Sequence, residues 1–327
     1  MKKAAVSILV VVVLLVLGVI ADAQQAKKVP RIGFLSFGSA SSMADRVDAV
    51  RQGLREHGYI EGRNIFLEHR YAEGNQNRLR DFAAELVSLK VDAVVSGGSI
   101  ATRSAKEATS TIPIIMAYDS DPVESGIVAS LARPGGNITG LTSLAAELSA
   151  KRLELLKQTV PKLTRVAVFG NPSEAMYLKA LKECETPAKS VGLSLQSLEV
   201  RSAEDIDIGF QAATKNRAGA IMVLNDPITF THRKRVVDLA IKNRLPSIHA
   251  QIQFVEAGAL MVYGADEADM YRRSATFIDK ILKGAKPADL PGEQPMKFEL
   301  VINLKTAKQI GLTIPPELLA RANRLIK

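Results

Sequence analysis

The 327-residue chain has a single cysteine, no tryptophan and only 5% aromatic residues. One thiol, Cys184, excludes an intramolecular disulfide and any site built on several cysteines, so no disulfide partner is expected. Cys184 lies in a helix-like stretch and reads as a small core residue. The four histidines, His57, His69, His232 and His249, show no metal-ligand spacing. There is no HExxH helix and no GxSxG nucleophile elbow. The glycine-rich run Arg133–Gly140 (RPGGNITG) has neither P-loop nor dinucleotide spacing, and it lacks the lysine–hydroxyl end that cradles phosphate. Neither a cofactor nor a catalytic role is expected.

The 43 basic residues outnumber 34 acidic ones, a formal charge of +9. The excess is scattered over expected helix faces, as at Arg46, Arg51, Arg55, Arg78 and Arg80. His232-Arg233-Lys234-Arg235 is the one dense basic run. A solvated helix face accounts for it, and nucleic acid is not an expected partner.

Lys2-Lys3 followed by the apolar run Ala4–Ala21 and the small-residue end Ala21-Asp22-Ala23 has the order of an export signal. Residues 1–23 are therefore read as a signal peptide, with an uncleaved membrane anchor as the alternative. No cysteine follows the run, which excludes lipid attachment there. The mature chain is expected in the periplasm, since no later stretch is long and apolar enough to cross a bilayer.

The rest of the chain alternates apolar runs with helical periodicity. Val91–Val95, the small-residue loop Ser96–Ser99, a helix from Ile100 and the run Ile112–Tyr118 form a βαβ unit. Ahead of it, Arg31–Phe37 and Ile65–Tyr71 read as strands, and Met43–His57 and Arg78–Leu89 as helices. Asp121-Pro122-Val123-Glu124 has the composition of a helix start. After Gly140 the pattern repeats. Arg165–Phe169 echoes Arg31–Leu35, Gly192–Val200 echoes Gly62–Tyr71, Gly219–Leu224 echoes Val91–Val95, and Leu245–Ile248 echoes Ile112–Ile115. Four echoes in one order predict a duplicated α/β lobe. The fold class is thus α/β, with two Rossmann-like lobes of parallel sheet flanked by helices and joined by a multi-segment hinge. Lobe 1 is expected to hold 30–142 plus approximately 265–327, and lobe 2 to hold 143–264.

Several stretches resemble the substrate-binding proteins of bacterial ABC transporters. They are Arg31–Leu35, Gln52–Gly62 (QGLREHGYIEG), Ala108–Pro113 (ATSTIP), Asp121–Gly140, Phe254–Gly264 (FVEAGALMVYG), Tyr271–Asp289 and Gln294–Pro316. More narrowly, the chain is similar to the family of type I periplasmic-binding fold that includes tryptophan- and tyrosine-binding members. The resemblance spans nearly the whole mature chain. It implies two lobes closing on a small-molecule ligand and delivery to an ABC permease. It also implies helix surfaces near the cleft mouth for that permease, with Arg46 and Arg51 on one of them.

In such a fold ligands sit at the carboxyl ends of the strands. On the first lobe this selects Phe37, Ser39 and Ser41, then Ser99 with the amides of Ile100 and Ala101, then Tyr118 and Asp119. On the second lobe it selects the loops Gly170–Ser173 and Asn225–Asp226, with Asp226 the leading candidate, then His249, Gln251 and Tyr263. A helix N-terminus at Ser99 suits a carboxylate. Asp226 or Asp119 would hold a ligand ammonium, although Asp226 is equally suited to cap the helix that starts at Pro227. Phe37, Tyr118 and Tyr263 would enclose an apolar ligand body. The expected function is capture of a small carboxylate-bearing metabolite, an amino acid among them. The alternative is a sensing or scavenging protein with no transport partner.

Overall fold

The computed structural model describes residues 28–144, 146–172, 175–224 and 226–327. The signal-peptide reading of 1–23, and the candidate loop residues Ser173 and Asn225, lie outside the described residues.

The first sheet contains β1 (Arg31–Ser36), β2 (Phe66–Tyr71), β3 (Ala93–Gly97), β4 (Ile114–Asp119) and β5 (Ile138–Thr142). All are parallel, in the order β2-β1-β3-β4-β5. Helices α1 (Ala40–Glu56), α2 (Gln76–Ser88) and α3 (Ser99–Ala108) connect them. Both faces of this sheet carry apolar cores, one around Phe34, Val47 and Ile115 and the other around Leu35, Leu86 and Ile114. That is why its central strands read as continuous apolar runs rather than alternating ones.

The second sheet repeats the pattern with β6 (Arg165–Gly170), β7 (Ser194–Glu199), β8 (Ala220–Val223), β9 (Ser247–His249) and β10 (Met261–Ala265). Its helices are α4 (Ser149–Thr159), α5 (Ala175–Ser190), α6 (Ala203–Lys215), α7 (Pro227–Thr231), α8 (Arg233–Lys242) and α9 (Ile252–Glu256). The order β7-β6-β8-β9-β10 is that of the first lobe, which is the expected duplication.

α10 (Glu267–Leu282) returns to the first lobe and packs on α1 and β4. A side chain at Gly53 would put a Cβ 2.1 Å from the Arg272 carbonyl oxygen, so glycine permits this helix crossing. The tail then departs from expectation. β11 (Phe298–Asn303) pairs antiparallel with β10, and β12 (Arg324–Ile326) pairs with β11. The short helices α11 (Leu304–Gln309) and α12 (Pro316–Arg321) add Ala307 and Leu318 to the second lobe's core. Assigning everything from about 265 to 327 to lobe 1 is therefore corrected. Only the stretch from α10 to about Glu293 belongs there, and β10 offers the edge that draws β11 across. The chain passes between lobes three times: after β5, after β10 and before β11.

A second correction concerns 121–124. Asp121 does accept a hydrogen bond from the Glu124 amide at 3.2 Å, as a cap would. No helix follows, because Gly126 takes φ +66° and the chain folds back through bonds from Ile127 and Val128 to the Pro122 carbonyl. A cap fixes one turn; it does not propagate a helix.

Candidate functional site

A cleft of about 1110 Å³ lies between the lobes at the carboxyl ends of their strands. Its first-lobe wall carries Phe37, Ser39, Gly98, Ser99, Ile100 and Tyr118; its second-lobe wall carries Asn171, Arg201, Asp226, Phe230, Gln251 and Gln253. Glu267 and Tyr271, both on α10, complete the lining.

The helix termini at the cleft differ in how their amides are satisfied. Ser39 caps α1, accepting from the Ser42 amide at 3.2 Å, with the Ser42 hydroxyl returning the bond as a capping box. Ser202 caps α6 in the same way with Asp205. Asp226 caps α7, accepting from the amides of Ile228 at 2.8 Å and Thr229 at 2.9 Å and from the Thr229 hydroxyl at 2.6 Å. α3 has no side-chain cap. It starts at Gly98, whose φ of +105° is open to glycine and strained for other residues. Its first amides, from Ser99, Ile100 and Ala101, keep the anion-binding capacity of an open helix N-terminus.

Ser99 itself is not the expected N-cap. It is the first helical residue, and its hydroxyl donates to Asp119 Oδ1 at 2.9 Å while accepting from the Ser120 amide at 3.1 Å. Ser99 thus tightens the first-lobe wall and offers the cleft its backbone rather than its hydroxyl. Asp119 lies behind it, fully buried, and Oδ2 meets no donor among the described residues. Burial pushes its carboxyl up to about 6, a rise that the Ser99 hydrogen bond limits.

Seven of the twelve candidate residues line the cleft: Phe37, Ser39, Ser99, Ile100, Tyr118, Asp226 and Gln251. The structure does not bring Ser41, Ala101, Asp119, His249 or Tyr263 to its lining. Ser41 is on the exposed first turn of α1, its hydroxyl 3.0 Å from that of Ser39. The Ala101 side chain is buried in the core under α3. His249 is fully buried and stacked on Phe254 with ring centroids 4.2 Å apart; neither ring nitrogen has a partner among the described residues. Burial, reinforced by the nearby Arg152 guanidinium, lowers its pKa to about 3, so it is a neutral ring. Tyr263 packs against Phe298 on the neighbouring β11, and its carbonyl accepts from Arg152 Nε at 2.7 Å. The unforeseen pairing of β11 with β10 is what covers it.

Glu267, Gln253 and Tyr271 were not among the candidates. Arg46, expected on a solvated face, is 5% exposed and joined to Glu267 at 2.7 Å. Their separation of 221 positions leaves no local pattern to find. The available signal was weaker: a carboxylate directly after an expected lobe crossing. The basic run behaves as a helix face, with Lys234 on Asp238, Arg235 on Asp207 and Arg233 over the Phe230 ring at 5.1 Å.

The model of the "ABC transporter substrate binding protein" family matches residues 31–326, nearly the whole described chain. The chain belongs to that family. Among characterised relatives it is similar to a tyrosine-binding protein of Clostridioides difficile (strain R20291), with 25% identity over 287 residues, 88% of this chain and 82% of the relative. Among solved structures it is similar to an ABC domain in complex with L-Trp from Streptococcus pneumonia. That match has a TM-score of 0.80 and 28% identity, and covers 91% of this chain and 99% of the other. A conserved domain protein from Vibrio cholerae matches with TM-score 0.80 and 27% identity, covering 91% and 100%. This substrate-binding protein therefore has the type I periplasmic-binding fold, and its family is one of solute carriers rather than catalysts. A cleft walled by two lobes and crossed by three chain segments is the architecture such a carrier requires.

Proposed function

We propose that this substrate-binding protein is exported to the periplasm, captures a small carboxylate-bearing metabolite of amino-acid type, and hands it to an ABC permease. The observation that carries the ligand class is the uncapped N-terminus of α3 on the first-lobe wall. A carboxylate there would take bonds from the Ser99 and Ile100 amides and gain from the helix dipole. The capped termini of α1, α6 and α7 leave less for an anion. Phe37, Tyr118 and Tyr271 supply the walls for an apolar ligand body. The tyrosine and tryptophan named for two relatives agree with this reading.

Ligand would bind one wall, the lobes would close, and contacts to both walls would hold the closed form. Closure is driven only by the extra affinity of the ligand for that form.

Thermal melting against amino acids, aromatic acids, short carboxylates, nucleobases and sugars tests the reading. A ligand at about 100 times its Kd stabilises by about 2.7 kcal/mol, which corresponds to a rise of roughly 5 °C for a chain of this size. A saturable rise with a carboxylate, lost when the carboxyl is amidated, is the expected result. A rise with sugars or nucleobases alone would overturn it.

A further inference from the structure

Glu267 lines the cleft but is only 8% exposed. Its Oε2 accepts from Arg46 Nε at 2.7 Å and from Gln253 Nε2 at 3.3 Å. Its Oε1 is shut off from bulk water and meets no donor among the described residues. The Gln253 amide is oriented by that bond: its nitrogen faces the carboxylate, so its Oε1 remains an acceptor, also buried and without a donor. Gln251 Oε1 is in the same condition, and Gln251 and Gln253 both line the cleft. Arg46 supplies no help. Its Nη1 donates to the Ser42 carbonyl at 2.6 Å, and its Nη2 lies 3.9 Å from Glu256. That guanidinium is thus shared between Glu267, Glu256 and the Ser42 carbonyl.

Three desolvated acceptors in the lining of a ligand cleft are costly unless a donor arrives, and most costly at the carboxylate. The two carboxylates expected from the sequence to hold an ammonium are placed otherwise. Asp226 is committed to the α7 terminus, and Asp119 lies behind Ser99.

We propose that Glu267, flanked by Gln251 and Gln253, binds the ammonium group of the ligand. The proposal rests on the carboxylate reading above and deepens it. The ligand is a zwitterion whose anionic end meets the start of α3 and whose cationic end meets the start of α10. A protonated amine matches three unpaired acceptors with three N–H donors, a fit that a hydroxyl or a carboxylate does not offer.

The test measures Kd by calorimetry for three probe sets on the purified protein. They are L-tyrosine and L-tryptophan; the same molecules without the amino group, 3-(4-hydroxyphenyl)propionate and indole-3-propionate; and the same molecules without the carboxyl, tyramine and tryptamine. The wild type is expected to favour the amino acids over the des-amino acids by about 10- to 100-fold. Glu267→Gln should collapse that ratio toward one by weakening the amine-bearing probes and not the des-amino acids. A purely structural Glu267 would weaken both sets alike. Because Glu267→Gln also loosens the Arg46 pair, Gln253→Met provides a second variant that leaves the pair intact; it should reduce the ratio by about 3- to 10-fold. Des-amino acids binding as well as the amino acids to the wild type would overturn the proposal and leave the carboxylate reading standing. Amines binding while both acid sets fail would do the reverse. Binding by no probe would overturn both.

Discussion

Lys179 offers a direct way to perturb the balance between lobe arrangements. It projects from α5 of the second lobe, and its Nζ lies 2.6 Å from Asp121 Oδ2 on the first lobe and 2.7 Å from Glu147 Oε1 in the first crossing. Burial alone would lower its pKa, but the two carboxylates reverse this and hold the ammonium above its usual range. Glu147 lies two residues before the start of α4 and so stays with the second lobe when the lobes part. The contact that differs between arrangements is therefore the one to Asp121. That carboxylate is 11% exposed and the lysine 31%, which places the pair between exposed bridges worth 0.2–1 kcal/mol and buried ones that cost several when broken. About 1 kcal/mol is a fair value for the lobe-to-lobe share, equivalent to roughly a five-fold shift in the equilibrium. Lys179→Met keeps the stem and removes the charge. Engineered cysteines at exposed Ser88 and Lys215 would carry a distance label on each lobe. The native thiol would not compete, because Cys184 is buried and its pKa is pushed up to about 12. The expected result is a ligand-free distance distribution shifted toward separated lobes and an apparent Kd raised by up to about five-fold. Glu147→Gln should move neither. An unchanged distribution and unchanged affinity in Lys179→Met, at low salt where the bridge is least screened, would refute the reasoning.

Asp119→Asn should stabilise the protein above about pH 6, by on the order of 2 kcal/mol in urea unfolding at about pH 7.5, and give no gain near pH 4. The sign follows from the raised carboxyl. Its contribution is full below the unfolded value near 4 and is lost as pH rises through about 6. The same group links binding to protons: an anion seated on α3 favours neutral Asp119, so carboxylate affinity should fall from about pH 6 to 8 in the wild type and stay flat in Asp119→Asn. His249 has the opposite slope. Its contribution is full above its unfolded value near 6.5 and drains away as pH falls toward 3, so His249→Phe should retain more stability than the wild type near pH 4.5. Asp226→Ala should cost about 1–2 kcal/mol in urea unfolding, because it strips the cap from α7 and leaves the Thr229 hydroxyl without its carboxylate partner.

The strands of both sheets were legible because each central one is buried on two faces and therefore apolar throughout. The cleft loops followed, since they sit at the carboxyl ends of those strands. What failed was pairing over distance. Lys297–Asn303 reads as a strand, yet nothing local says that it runs antiparallel to Met261–Ala265 rather than joining the first sheet. The same pairing removes Tyr263, selected for its place on the late strand, from the cleft, because Phe298 covers it. Side-chain direction failed at strand ends for a related reason. Asp119 follows a register irregularity between Met116 and Asp119, so counting alternation along β4 does not reveal that Tyr118 reaches the cleft and Asp119 does not. Arg46 and Glu267 show the limit of composition. An arginine on an amphipathic helix is read as solvated, and only the crossing of α1 with α10 converts it into half of a buried pair.

The duplication explains the cleft's asymmetry. Equivalent strand ends, β3 and β8, face each other across it, and each leads into a helix. In the first copy the junction is Gly97-Gly98-Ser99, which caps nothing and keeps its amides. In the second it ends in Asp226-Pro227, where an aspartate takes the amides of the next turn and proline has no N–H to offer. Had both junctions kept the glycine form, two helix termini would compete for the same anion and a ligand could bind in either direction. Had both taken the aspartate form, neither would attract one. With one of each, a single wall attracts negative charge, and the unpaired oxygens of Glu267, Gln251 and Gln253 lie on residues beyond it. A ligand with two opposite ends then has one orientation in which both are satisfied, and lobe closure on that orientation reports its identity.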